Sequence, residues 1–344
     1  MHLLMIGCNL DYVYTLTQSY DAIMKQVTDY NHMRQKKVLI TGGAGFIGSN
    51  LANHLAENNV VIVLDNGYLG TADNLDDDVI HSHKSVLDDE LPTDVDVVFH
   101  LAALSSYDMH ETEPCKGARV NVEGFVNTVE QAKNDGCDTI VYASTSSIYG
   151  SQTEPSPESM PVQANTGYEA SKLARERYAE YFSNHYDLSL AGMRFFSVYQ
   201  GYGGTEEHKG DYANVISQFA NDIGHGRSPT LYGDGTQTRD FTHVDDIVRG
   251  LVRAAEEQLD GVYNLGTGDA YSFNRIVELI NDELDRNIEP EYVTNPIPES
   301  VYVHDTCADY SKMYEETGWE PEVDIEDGLR QVCSVYSEHE VPSD

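Results

Sequence analysis

Basic residues are scarce in this chain: 344 residues hold 21 lysines and arginines against 58 aspartates and glutamates, a formal net charge of −37. A field of that sign repels nucleic acid and anionic membrane surfaces, so neither is expected as a partner. Metal-ligand spacings are missing as well. The five cysteines, Cys8, Cys115, Cys137, Cys307 and Cys333, form no C-x-x-C pair, and their odd number fits reduced thiols in a cytoplasmic protein that binds no metal. No apolar run approaches the ~18 residues of a membrane span, and residues 1–11 lack the basic region of a secretory signal.

The remaining composition is that of a globular protein. At 40% hydrophobic residues the chain can build one large or two interlocked domains around a sizeable core. The acids are spread along it, as in Asp76-Asp77-Asp78, Asp88-Asp89-Glu90 and Glu256-Glu257, which describes a solvated surface rather than a binding tail. Such a surface suits concentrated salt, where the Debye length shrinks to about 3 Å and self-repulsion is small. Before Met33 the only charges are Asp11, Asp21, Lys25 and Asp29, with no amphipathic period. Residues 1–32 read as an extension outside the fold, with Met33 as a natural start.

From Lys37 the pattern becomes informative. Val38-Leu39-Ile40 reads as a buried parallel strand, followed by Gly42-Gly43-Ala44-Gly45-Phe46-Ile47-Gly48 and a helical segment through Leu55. A second apolar strand, 60–64, ends in Asp65, 17 residues after Gly48. Glycines let a backbone approach a pyrophosphate at a helix N-terminus, and a carboxylate at the next strand end binds ribose hydroxyls. That carboxylate repels a 2′-phosphate, which favours NAD over NADP. Apolar stretches at 97–103 and 139–143, with a helix near 121–133 between them, continue the alternation of an α/β doubly wound parallel sheet of the Rossmann type. Strand ends place Ala102, Ala103 and Leu104 beside the dinucleotide and Ser144, Thr145 and Ser146 beside the reacting ring.

In Tyr168-Glu169-Ala170-Ser171-Lys172 a phenol and an ammonium stand four residues apart, on one face of a helix. A phenol ionises near pH ~10, and a neighbouring positive charge favours the phenolate. The spacing alone occurs in many surface helices. Its context gives it weight: Gly42-x-x-Gly45-x-x-Gly48, His100-Leu101-Ala102-Ala103, Ser144-Thr145-Ser146, Tyr149-Gly150 and Tyr168-x-x-x-Lys172 follow in order. Together they resemble the extended short-chain dehydrogenases/reductases, and within them the NAD-dependent nucleotide-sugar epimerases of the UDP-glucose 4-epimerase type, over residues 37 to about 335. Arg194-Phe195-Phe196-Ser197-Val198-Tyr199, Asn214, Tyr232-Gly233-Asp234-Gly235, Thr238-Arg239-Asp240 and Tyr263-Asn264-Leu265-Gly266 match further along.

The resemblance implies a division into a NAD-binding Rossmann domain, 33–196 and 236–268, and a discontinuous nucleotide-sugar-binding α/β domain, 197–235 and 269–338. It implies catalysis by Tyr168, Lys172 and Thr145. NAD would be held by Gly42, Gly45, Phe46, Ile47, Gly48, Asp65, Asn66, Leu101, Ala102, Ala103, Asn121, Tyr168 and Lys172, and the nucleotide-diphosphate sugar by Ser146, Ser197, Asn214, Arg239 and Thr306. Tyr168 would take the proton of the sugar 4-hydroxyl, helped by Lys172 and the nicotinamide charge. A homodimer through the helices of Asn121 and Tyr168 is the usual assembly. From its chemistry alone Arg239 is either an anion site or an ion-pair partner of Asp240 or Asp245.

Five positions depart from or refine the family pattern. Ser197 replaces a common Asn and Ser85 an adenine-contacting Asp, both keeping a hydrogen-bonding group. Glu299 stands at the nearest position to a second diphosphate arginine, a role that Lys209 or His304 could fill. Ser147 occupies the place of the acid that dehydratases need, so an epimerase is preferred over a 4,6-dehydratase or decarboxylase. Tyr168, Lys172 and Thr145 together disfavour a non-catalytic NAD-binding sensor, and Asp65 disfavours an NADP-dependent reductase. The small Thr306 implies room for an N-acetyl group on the sugar.

Overall fold

The computed structural model describes residues 33–337; the expected extension, 1–32, lies outside them. The apolar run after Lys37 forms β1 (Lys37–Thr41), and a glycine turn leads into α1 (Phe46–Ala56) and β2 (Val60–Asp65). The strands β3 (Ile80–His83), β4 (Val97–His100), β5 (Thr139–Ala143), β6 (Ser189–Phe195) and β7 (Gly261–Leu265) complete one sheet in the order β3-β2-β1-β4-β5-β6-β7. Every neighbouring pair is parallel, with Leu39 opposite Ile62 and Val98 in β1 and its two partners. The order reverses direction between β1 and β4, the switch point at which α/β sheets open a ligand crevice.

Side chains of β1 point alternately to two cores because a strand has a period of two. Val38 and Ile40 join Leu51 and Leu55 of α1 and Ile247 and Leu251 of α5 (Val244–Glu256). Leu39 joins Phe125 and Val129 of α2 (Gly124–Asp135) and Phe182 of α3 (Gly167–His185) on the other face. Each fully buried aliphatic side chain contributes about 2 kcal/mol, which explains why strands covered on both faces read as unbroken apolar runs. A third core gathers Ile216 and Phe219 of α4 (Val215–Gly224), Ile276 and Ile280 of α6 (Phe273–Glu283), and Leu329 and Val332 of α7 (Ile325–Ser337). It lies outside the sheet, and Asn214, the N-cap of α4, carries it to the wall of the crevice.

Two local differences from the sequence expectations have physical causes. The strand expected over 97–103 stops at His100; the Leu101 N–H makes the last bond of the ladder, to the Thr41 carbonyl, and the residues after it line the crevice. The helix expected from Asn121 is preceded by a π-helical turn, Arg119–Glu123, before α2 begins at Gly124. That wider turn directs Asn121 inward.

Candidate active site

At the end of β1 the chain must turn sharply under the neighbouring strand. Gly42 does so at φ +69°, and a Cβ there would lie 2.6 Å from the Ala102 nitrogen. Gly48 lies against the Gly42 carbonyl and has no room for a side chain either. Gly45 caps α1 without a side chain, leaving the first N–H groups of the helix facing a space suited to a phosphate. Asp65 closes the turn from β2: its carboxylate accepts hydrogen bonds from Ala44 N at 3.2 Å and Gly67 N at 2.9 Å. This cradle fits a dinucleotide such as NAD. Its pyrophosphate would sit over the glycines and its adenosine ribose beside Asp65.

The same cavity, of about 540 Å³, continues to the other strand ends. Its wall holds Gly42, Gly45, Phe46, Ile47, Gly48, Asp65, Asn66, Leu101, Ala102 and Ala103, then Thr145, Ser146, Tyr168 and Lys172. Thr166 and Glu169 form a capping box at the start of α3 and fix its first turn, where Tyr168 is the second residue. Ser144, at the end of β5, donates to Glu176 Oε1 at 2.6 Å, which sets the height of the next residue, Thr145. The Thr145 hydroxyl reaches the Tyr168 phenol and stands 3.0 Å from the Ser147 hydroxyl. Burial pushes the Tyr168 phenol above its ordinary value, opposed by the Thr145 hydrogen bond and the charge of Arg175. Burial and then Arg175 hold Lys172 well below its ordinary value.

Asn121 stands behind this wall instead of in it. Its amide is held by both backbone groups of Leu104, by Ser171 Oγ and by His110 Nε2, at 2.8–3.1 Å. It therefore fixes the strip of backbone that faces the cofactor space. Across the cavity, Ser197, Asn214, Arg239 and Thr306 all line the wall. The Asn214 side chain caps α4 through Ile216 N and donates to the Ser197 and Val198 carbonyls, so it shapes the wall. Arg239 pairs with neither Asp240 nor Asp245 among the described residues. Its guanidinium donates to the Val303 and His304 carbonyls at 2.5 and 2.7 Å and faces the Phe273 and Tyr302 rings. Lys209 reaches the wall, 5.4 Å from the centre of the Phe46 ring, whereas His304 is exposed and turned onto Asp305. Ser85 lines the wall, while Glu299 is an exposed residue off it.

Two neighbours of the catalytic end carry no sequence expectation. His110 is buried with its ring 5.8 Å from that of Tyr168, edge to face. Arg175, fully buried, follows Lys172 by three residues. Its i,i+3 spacing from Lys172 was the signal available for it; His110 had none. Among the described residues no group of histidine, cysteine and acidic side chains could hold a metal, and no helix is long and apolar enough to cross a membrane.

Comparison with known proteins agrees with this arrangement. Residues 38–266 match the model of the NAD dependent epimerase/dehydratase family. A UDP-glucose 4-epimerase of Mycolicibacterium smegmatis is 32% identical over 314 residues, 87% of this chain and 98% of its own. UDP-glucuronic acid decarboxylase 5 of Arabidopsis thaliana is also 32% identical, over 85% of this chain and 87% of its own. The UDP-N-acetylglucosamine 4-epimerase of Methanobrevibacter ruminantium, solved with UDP-N-acetylmuramic acid, superposes with a TM-score of 0.81 at 30% identity, covering 88% of this chain and 98% of that one. With a glycine cradle, an acidic strand end and a Thr-Tyr-Lys cluster on one cavity, this chain belongs to the NAD dependent epimerase/dehydratase family.

Proposed function

We propose that this chain epimerises a UDP-sugar at C4 through a transient 4-keto sugar, acting on UDP-glucose and UDP-galactose and on their N-acetylhexosamine equivalents. The observation that carries this reading is the meeting of Tyr168, Thr145 and Lys172 in one cavity whose wall also holds Asp65 and Arg239. Bound NAD supplies the hydride acceptor and donor. Tyr168, as phenolate, removes the proton of the 4-hydroxyl, and Thr145 donates to the same oxygen. Lys172, held by the Ala143 carbonyl at 3.0 Å, would help to hold NAD beside them and favour the phenolate. Return of hydride and proton on the other face of the sugar leaves no net redox change.

Arg239 and Lys209 are assigned to phosphate oxygens, Asn214 to the wall beneath them, and Ser146, Ser197 and Thr306 to the sugar. Dehydration or decarboxylation needs a further acid beside Thr145. Ser147 stands there, with a hydroxyl that is a poor proton carrier at neutral pH. Residues 33–196 and 236–268 are read as the NAD-binding domain, and 197–235 with 269–338 as the sugar-binding domain. Exposed Tyr178 and Tyr181 on α3 support a homodimer across that helix, which sedimentation equilibrium would contradict by returning a monomer. Four described cysteines are free thiols, in keeping with a cytoplasmic location; a disulfide in freshly isolated protein would argue against it. The deciding assay is incubation with UDP-, dTDP- and GDP-sugars followed by NMR. Formation of the C4 epimer supports the reading, and a dehydrated or decarboxylated product, or none, overturns it.

A further inference from the structure

Arg175 carries its charge into the interior with no exposed surface. Its Nε donates to the Asn121 carbonyl at 2.5 Å, Nη2 to Ala102 O at 2.7 Å and Nη1 to Ala143 O at 3.4 Å. No carboxylate pairs with it among the described residues. Lys172, one turn earlier, donates to the same Ala143 carbonyl and has no carboxylate partner either. Acids are not in short supply in a chain with 58 of them. The adjacent Glu176 is taken by Arg194 in a buried two-point ion pair. Two unneutralised cations in one buried turn are unfavourable unless a negative charge arises beside them.

The proposed reaction supplies such a charge, since Tyr168 must lose its proton before the sugar hydroxyl can. We propose that Arg175 is a positioning residue, the fixed buried cation against which the Tyr168 phenolate forms. The inference rests on Tyr168 being the base. In the step, phenolate, sugar alcohol and NAD become phenol, ketone and reduced NAD; the alcohol proton passes to the phenolate oxygen, the C4 hydrogen leaves with its electron pair, and Arg175 keeps its proton. Burial lowers the guanidinium only to about 10, so it stays charged at neutral pH.

The other groups facing this turn leave the role to Arg175. On α3 they are Lys172, Glu169 and the neutralised Glu176; from β4 and β5 come His100 and Tyr142, and from segment 107–112 His110 and Glu111. Burial lowers both histidines from their ordinary value, which disfavours a charge on either. Arg194 on β6 is neutralised by Glu176 and holds the Tyr149 hydroxyl, and Lys116, Arg119 and Glu123 on segment 114–123 are paired at the surface.

The test compares NAD-loaded wild type with Arg175→Lys, which keeps the charge, and Arg175→Gln, which keeps amide donors without it; Arg175→Met is a second neutral variant. Two readouts are taken: the acid limb of kcat against pH, and the tyrosinate absorbance titration, each referenced to Tyr168→Phe. The neutral variants should move limb and titration up by about one pH unit, a roughly tenfold loss of rate below the limb, while Lys leaves both in place. Uniform loss of rate with an unmoved titration, or Lys behaving like Gln, overturns the role. A wild type that turns over no sugar nucleotide would overturn the function, while the titration would still decide Arg175.

Discussion

The Lys172 ammonium lies 5.8 Å from the centre of the Tyr168 ring and donates to the Ala143 carbonyl, not to the phenol. The cation whose charge opposes the burial of Tyr168 is Arg175. The Lys172 ammonium is thus tied to the strand end, within reach of the Tyr168 ring but not bonded to its hydroxyl.

Tyr168→Phe removes only the hydroxyl and leaves the capping box that starts α3 intact. Turnover should fall by about 10²- to 10⁴-fold, the usual worth of a general base, while NAD remains bound. Both are read from initial rates and from the cofactor released on denaturation. Full activity in this variant would show that another group carries the proton.

Asp65→Asn keeps the size of the side chain but loses its charge. The amide oxygen can still accept from Ala44 N, which keeps the tie to the glycine turn, while Gly67 N loses its acceptor. Losing one charge-assisted hydrogen bond to a ribose hydroxyl removes about 1.5–3 kcal/mol. NAD affinity should therefore drop at least tenfold, and the discrimination against NADP should shrink, both measured by calorimetric titration. An unchanged NAD to NADP ratio would place the specificity elsewhere.

Legibility followed burial. Strands β1, β2 and β5 were readable because both faces are covered and the sequence there is unbroken apolar text. Strand β3, Ile80-His81-Ser82-His83, is an edge strand with mostly exposed side chains, and no apolar run announced it. Asp65 was legible because its strand and the glycine turn fix its place from both sides. Arg175 was not, since an arginine on an amphipathic helix ordinarily faces water. Asn121 and Asn214 illustrate a different limit. A motif places a residue near a ligand, but their amides are committed to backbone groups, which only coordinates reveal.

Thr306 lies in the cavity wall, 6% exposed, and its hydroxyl accepts from Asp240 N at 3.3 Å. Thr306→Tyr would extend a ring into the sugar space. Turnover of UDP-N-acetylglucosamine should drop by about 10- to 200-fold relative to UDP-glucose, the range set by steric discrimination in a pocket. Coupled assays on the two substrates measure the ratio. If wild type ignores the acetamido sugar, the open-pocket reading is removed at once.

His100 is fully buried, hydrogen-bonded through Nδ1 to Thr41 Oγ1 at 3.1 Å, and its Nε2 has no partner among the described residues. Burial, then Arg175 and Lys172, hold it well below its ordinary value. A depressed folded pKa means that the unfolded chain binds the proton first. The stability His100 contributes is present above pH ~6.5 and is lost as pH falls towards the folded value. His110 and His208 are lowered as well and add to the slope. The melting temperature should drop between pH 7 and 5, and His100→Gln should make that drop shallower; an equal slope in both proteins would exclude His100 as a source.

Salt acts on this protein through two opposed effects. Screening weakens surface ion pairs such as Arg119–Glu123 and Arg275–Glu278, each worth about 0–1 kcal/mol. It also relieves repulsion among the acids. With 58 acidic and 21 basic residues, most carboxylates have no basic partner even if every cation is paired, so relief of repulsion should outweigh the lost pairs. The unfolding midpoint is therefore expected to rise steadily from 0.1 M to 2 M KCl, on the order of the range over which the Debye length falls from ~10 Å to below ~3 Å. Chloride is the right anion for this, because sulfate stabilises most proteins by exclusion from their surface regardless of charge. A midpoint that stayed level or fell in KCl would show that the excess acids do not repel strongly enough to matter, and adaptation to concentrated salt would lose its support.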